Sequence, residues 1–220
     1  MNYKNGLFYE RIVNSLSQHG YKNDLSQLLG EGNHGWAWKL DNDTVFKLTN
    51  DFSEYNICKE IIGRRNNYLV DIYNCWKLQD EDGDQCYGII EEKLLTTIPG
   101  IDLDTKDCFI RLLKKSWSIL NESGRVKRHE NYYDLLIDNY TRFNKDTIDM
   151  AYNVFCKLIM NEINRTQYIL MFDNTTKAFA ELQNIYPLAE LDLNSGNIGF
   201  SSYGQMKYFD MRCVKNNRFS

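Results

Sequence analysis

The chain has 220 residues, 43% of them hydrophobic, which is enough for a sizeable core in one domain or in two tightly packed lobes. A formal net charge of −4 offers no basic footprint for nucleic acid, and no apolar run reaches the length of a membrane span. The first residues, Met1-Asn2-Tyr3-Lys4-Asn5, lack the shape of a signal peptide, so a soluble cytoplasmic protein is expected. The six cysteines (Cys58, Cys75, Cys86, Cys108, Cys156, Cys213) are scattered, with no C-x-x-C and no histidine close by. They read as free buried thiols in a reducing compartment rather than as zinc ligands. Two prolines in the whole chain argue against disordered linkers, and nothing sets an oligomeric state.

Taken in order, residues 7–19 place Leu7, Phe8, Ile12, Val13 and Leu16 at helical spacing, which predicts a short packing helix. Strands are predicted over 25–31, 35–40 and 43–48. Between the first two lies Gly30-Glu31-Gly32-Asn33-His34-Gly35, a G-x-G-x-x-G flanked by apolar stretches. Glycines there let a backbone turn tightly and lie close over phosphates. By itself the pattern also fits an ordinary glycine-rich hairpin. Twelve residues past the last glycine, Lys47 sits inside the apolar, β-branched run Thr44-Val45-Phe46-Lys47-Leu48. A lysine in so short a strand calls for a partner or a task. The order of strand, glycine loop and strand, with the lysine on the next strand, differs from Rossmann and Walker sites, which need a helix directly after the glycines.

Residues 51–62 read as an amphipathic helix, capped by Asp51 or Ser53 and stopped by Gly63. Glu54, seven residues after Lys47, is placed to pair with its ammonium, and Glu60 is the rival partner. Residues 68–78 and 86–94 alternate as strands around the acidic turn Asp80-Glu81-Asp82-Gly83-Asp84, which reads as a solvated hairpin tip and not a calcium loop. From 101 to 186 the spacing turns helical. Phe109, Leu112, Leu113, Trp117, Ile119 and Leu120 mark one helix, and Tyr132, Leu135, Leu136 and Tyr140 a second. Residues 148–163 form a third, and Phe179, Leu182 and Ile185 a fourth before Pro187. The charged stretch 125–130 reads as an exposed connection.

Near the C-terminus stands Asp192-Leu193-Asn194-Ser195-Gly196-Asn197, a D-x-x-x-x-N. Short strands follow over 198–201 and 207–209, the second ending at Asp210, 13 residues after Asn197. The turn between them brings Asp192, Asn197 and Asp210 toward one end of a hairpin. An aspartate that takes a hydroxyl proton, with an amide and a carboxylate suited to Mg²⁺, is what phosphoryl transfer needs. Each alone is also good turn chemistry.

With Gly30, Gly32, Gly35, Lys47, Glu54, Asp192, Asn197 and Asp210 in this order, the sequence resembles the protein-kinase-like superfamily over nearly its whole length. The resemblance implies an α+β, bilobal fold. Residues 1–94 would form an N-lobe of antiparallel sheet plus one helix, and 95–220 a mostly helical C-lobe, truncated after the strand that carries Asp210. It implies that the loop Gly30, Glu31, Gly32, Asn33, His34 and Gly35 covers ATP, and that Ala37 and Val45 line the adenine pocket. Lys47 would bind phosphates with Glu54 orienting it, and backbone groups at Glu91 and Glu92 would meet the adenine at a hinge. Asp192 would be the catalytic base, with Asn197 and Asp210 as Mg²⁺ ligands. The compactness is similar to small kinase-like proteins of bacteria and their phages, which would act in the bacterial cytoplasm.

Three departures bear on the acceptor. The usual H-R-D reads Glu190-Leu191-Asp192, Asn194 stands where many serine/threonine kinases have a lysine, and D-F-G reads Asp210-Met211-Arg212. Ten residues follow Asp210, so the expectation is that an activation segment and peptide platform are lacking. The expectation is a Mg²⁺-ATP-dependent serine/threonine protein kinase acting on a partner protein, without nucleic acid or membrane. The alternatives are a small-molecule kinase and a pseudokinase acting by contact.

Overall fold

The computed structural model describes residues 6–22, 25–32, 35–80, 82–122, 164–187 and 189–213, with side chains other than those of 116–122 and 212–213. The expected helices at 132–140 and 148–163, the stretch 125–130, and the loop-tip residues Asn33 and His34 lie outside the described residues. The chain divides into two compact units, one of residues 1–66 and 70–94 and the other of residues 67–69 and 95–220.

The first unit opens with α1 (Gly6–Gln18) and continues through β1 (Gln27–Gly32), β2 (Gly35–Lys39), β3 (Thr44–Thr49), α2 (Phe52–Ile61), β4 (Ile72–Gln79) and β5 (Gln85–Glu92). The strands form one antiparallel sheet in the order β1-β2-β3-β5-β4. This five-stranded sheet, with a single helix inserted between the third and fourth strands, has the element order of the expected α+β, kinase-like fold. Strand alternation sorts its two faces. Trp36, Trp38, Phe46, Leu48, Trp76 and Ile90 share one face and bury against Phe8, Ile12 and Leu16 of α1. Those three recur every four residues, which puts them on a single helical stripe. Large apolar side chains buried in this way contribute roughly 1.5–3 kcal/mol each. Trp76 sits at the centre: its Nε1 donates to Ser15 Oγ at 2.6 Å, and its ring stacks on His19 with centroids 4.2 Å apart. Gly88 of β5 makes room for that ring, since a Cβ there would lie 2.8 Å from it.

α2 begins where Asp51 accepts hydrogen bonds from the N–H groups of Ser53, at 2.7 Å, and Glu54, at 3.4 Å, so Asp51 is the cap. It ends at Gly63, whose φ of 70° suits glycine. Asp80 organises the acidic turn by accepting from the N–H groups of Asp82 and Asp84, which is turn chemistry.

In the second unit, α3 (Leu103–Glu122) and α4 (Arg165–Ile185) accompany β6 (Ala189–Leu191), a 3₁₀ turn (Ser195–Asn197), β7 (Ile198–Phe200), β8 (Met206–Tyr208) and β9 (Met211–Cys213). β6 pairs with β9 and β7 with β8, both antiparallel. Two expectations need correction here. The fourth predicted helix starts well before Phe179, at Arg165, with Asn164 as its cap. Asn174, Thr175 and Thr176 interrupt its apolar run, but each finds a partner: Gln205 Nε2 donates to Asn174 Oδ1 at 3.2 Å, and Thr176 Oγ1 donates to the Asp173 carbonyl at 2.8 Å. Thr175 Oγ1 donates to the Met171 carbonyl at 2.7 Å and lies 2.8 Å from the Tyr208 hydroxyl, which leaves the phenol as donor of that second bond. The strand expected over 68–78 is also shorter, starting at Ile72. Residues 67–69 find their partners in the second unit. Glu181 of α4 accepts from the N–H of Asn67 at 3.0 Å and of Tyr68 at 2.8 Å, and the Tyr68 carbonyl accepts from Tyr208 N–H. Among the described residues no helix is long and apolar enough to cross a membrane.

Candidate active site

The first group of site residues lies on the sheet face opposite the tryptophans. Register pairs Ala37 with Lys47, Lys47 with Ile89, and Val45 with Glu91. Directly paired residues in an antiparallel ladder point the same way, so Ala37, Val45, Lys47, Ile89 and Glu91 share this face. Lys47 Nζ lies 2.5 Å from Glu54 Oε1, and the two side chains are only 14% and 5% exposed. Of the rival partners it is therefore Glu54 that pairs with Lys47, while Glu60 lies on the exposed side of α2. The helical reason is simple: Glu54 lies one turn into α2, on the buried stripe with Tyr55, Ile57 and Cys58. Burial pushes the Cys58 thiol well up; the carboxylates of Glu54 and Glu91 add to this and Lys47 opposes it. Burial also raises Cys75 to about 11 and Cys86 to about 12, so these thiols are held protonated and unreactive.

The glycine pattern resolves into two kinds of glycine. Gly32 pairs with Gly35 and Gly30 with Ala37 across the β1–β2 hairpin. A Cβ on Gly35 would stand 1.8 Å from the Leu48 carbonyl oxygen, so Gly35 is required by the close approach of β3. At Gly30 and Gly32 a Cβ would meet nothing within 4 Å. The sequence reading gave all three glycines to phosphates; at Gly35 the sheet supplies a separate structural reason for glycine. Gly35→Ala is expected to lower stability by about 1–3 kcal/mol, as overpacking does, whereas Gly32→Ala leaves the melting temperature unchanged. Thermal melts of the two variants check this, and equal effects would refute the distinction.

Glu91 and Glu92 remain within β5, paired with Val45 and Thr44. The Glu92 N–H donates to Asp71 O at 2.8 Å and the Lys93 N–H to Asp43 O at 2.8 Å. Both N–H groups are thus engaged within the first unit.

The second group is assembled by two short ladders. β6 and β9 pair Leu191 with Met211, which sets Asp192 and Asp210 at the same end of that ladder, one residue beyond the pair. β7 and β8 pair Ile198 with Tyr208, and the Phe209 N–H donates to the Asn197 carbonyl at 3.1 Å. Asn197 therefore stands beside the residue before Asp210. Its Nδ2 donates to the Asp192 carbonyl at 3.1 Å, and the Asn194 N–H donates to that carbonyl at 2.8 Å. Asn194 closes the turn by accepting from Gly196 N–H at 2.9 Å. Asp210 has φ of 61°, the one positive φ among the described non-glycine residues. Left-handed backbone is uncommon for a non-glycine residue, although aspartate tolerates it better than most.

The donor set fits a hard cation. Asn197 commits its amide nitrogen to the Asp192 carbonyl, which leaves its amide oxygen; an amide oxygen and the carboxylate of Asp210 are ligands of the kind Mg²⁺ takes. Among the described residues no three His, Cys, Asp or Glu side chains form a metal-binding group. Water and phosphate would thus complete the coordination, as is usual for Mg²⁺.

Sequence reasoning missed Lys106. It is fully buried on α3, and its Nζ donates to the Ile198 carbonyl at 2.8 Å. Burial lowers its pKa from the ordinary lysine value, against the pull of Asp107. The available signal was its spacing of three, four and seven residues from Phe109, Ile110 and Leu113, which puts a charge on the apolar stripe.

No family model matches the chain, and no curated protein matches it. Among solved structures it is similar to the MAP kinase LmaMPK10 from Leishmania major, at 9% identity and a TM-score of 0.39, over 94% of this chain and 51% of that one. It is similar to the GDP complex of wild-type aminoglycoside 2'-phosphotransferase-IIIa, at 16% identity and a TM-score of 0.34, over 94% of this chain and 75% of that one. A mutant of that phosphotransferase, also with GDP, gives 14% identity and 0.34 over 94% and 74%. The chain spans about half the length of the MAP kinase it matches. Likeness at this level does not carry function from one chain to another.

Proposed function

We propose that the chain is a Mg²⁺-ATP-dependent phosphotransferase, with a serine or threonine hydroxyl of a partner protein as acceptor. The observation that carries this reading is the convergence of Asp192, Asn197 and Asp210, with Asp210 held in left-handed backbone. Within the first unit, the Lys47–Glu54 pair and the open Cβ positions of Gly30 and Gly32 independently support a phosphate-handling role. Lys47, oriented by Glu54, neutralises phosphate charge. Gly30 and Gly32 let the hairpin backbone approach the nucleotide, and Ala37 and Val45 offer it an apolar face. Asp192 accepts the proton of the attacking hydroxyl as the hydroxyl oxygen closes in line on the γ-phosphorus, while the bond to the β–γ bridging oxygen breaks and ADP leaves. Mg²⁺, held by Asp210 and the Asn197 oxygen, would neutralise the transferring phosphates. Most of the rate then comes from positioning and charge compensation.

The test is transfer of labelled γ-phosphate from Mg-ATP in the presence of a cell lysate, with wild type beside Asp210→Ala. Label on a protein band with wild type alone is expected. Label in the small-molecule fraction would replace the protein acceptor with a metabolite. Binding of ATP without any transfer would make the chain a contact-acting module, and absence of ATP binding would overturn the nucleotide reading itself.

A further inference from the structure

A fully buried lysine is costly, because the ammonium gives up its water. A methionine of similar length would fill the same space on α3, beside Phe109 and Ile110, without that cost. What Lys106 adds is a hydrogen bond to one particular carbonyl. Ile198 faces Tyr208 across the β7–β8 ladder, yet the Tyr208 N–H turns outward to the Tyr68 carbonyl. The Ile198 carbonyl likewise turns off the hairpin, on the edge where Phe200 bonds with Leu95, and Lys106 Nζ meets it at 2.8 Å. The next residue on α3, Asp107, accepts from the Ser195 hydroxyl. Two consecutive α3 side chains therefore grip the loop on both sides of Asn197, two residues before it and one after.

We infer that Lys106 is a positioning residue: by holding the Ile198 carbonyl it fixes the 195–198 segment, and with it the Asn197 side chain against Asp192. The metal consequence rests on the function proposed above; the ordering of the loop does not. Lys106 touches no reacting group. It acts through Asn197, whose Nδ2 must stay on the Asp192 carbonyl for its oxygen to remain oriented. Outer partners of this kind set metal affinity by holding ligands in place.

The experiment compares wild type with Lys106→Met in the full chain. Thermal melting is expected to be unchanged or slightly higher, since an apolar side chain replaces a buried charge. Backbone hydrogen exchange over 192–199 is expected to be about ten-fold faster in the variant, with the rest of the chain unaffected. The Mg²⁺ concentration needed for half-maximal nucleotide binding is expected to rise about ten-fold, with Mg²⁺-free ATP affinity unchanged. A purely packing role would move melting and leave that split untouched. If wild type binds no nucleotide, the proposed function fails while the exchange measurement still decides the role of Lys106. A folded Lys106→Met with wild-type exchange over 192–199 overturns the inference. Should Lys106→Met not fold, Lys106→Arg, which keeps a cationic donor, is expected to fold with wild-type exchange in the loop. Faster exchange there, or failure of this variant to fold as well, would assign Lys106 to packing alone.

Discussion

Lys47→Met is expected to cost about 3–5 kcal/mol of stability, because it strands the Glu54 carboxylate in a buried position without its counter-charge. The pair is short, at 2.5 Å, and nearly closed to solvent, at 14% and 5% exposure. Glu54 shares its helical stripe with Tyr55, Ile57 and Cys58, so water cannot replace the lost ammonium without opening the α2 packing. The double variant Lys47→Met/Glu54→Leu is expected to regain most of the loss, since both charges then leave the interior together. Urea denaturation of the single and double variants measures this. The double variant regains stability but not ATP affinity if the pair exists to present Lys47 to phosphate. A single variant as stable as wild type would show that Glu54 is not the buried partner.

Asp192→Asn is expected to lower turnover by about 10²–10⁴-fold while leaving ATP affinity and melting temperature near wild type. The reasoning comes from which atom of Asp192 the loop uses. Asn197 Nδ2 and Asn194 N–H both donate to the backbone carbonyl of Asp192, not to its carboxylate. An amide in place of the carboxylate therefore preserves those bonds and removes the capacity to take a proton. Steady-state turnover beside calorimetric ATP binding separates the two. Equal turnover in both proteins would remove Asp192 from the chemistry, and a collapsed ATP affinity would give it a binding role instead.

Much of this was legible in the sequence because the signals were local. Alternation in the three strands around Lys47, the Asp51 cap and the Gly63 stop each follow from short-range sterics and hydrogen bonding, and the structure places those elements within a residue or two of expectation. The order of glycines, lysine, glutamate and late aspartates sufficed to pose a phosphotransferase. What the sequence could not specify was whose backbone partners whom. Tyr68 and Leu69 read as the start of a strand over 68–78, yet Glu181, more than a hundred residues later, claims the N–H groups of Asn67 and Tyr68. The polar Thr175 inside α4 meets the Tyr208 hydroxyl from more than thirty residues along the chain. That β3 leaves no room for a Cβ at Gly35 is likewise visible only once the strands are paired. The choice of Glu54 over Glu60, the left-handed Asp210 and the buried Lys106 were decided the same way. Periodicity reports which face of an element is apolar; only the tertiary structure decides which distant group meets it, because those partners are set by register and packing across the chain.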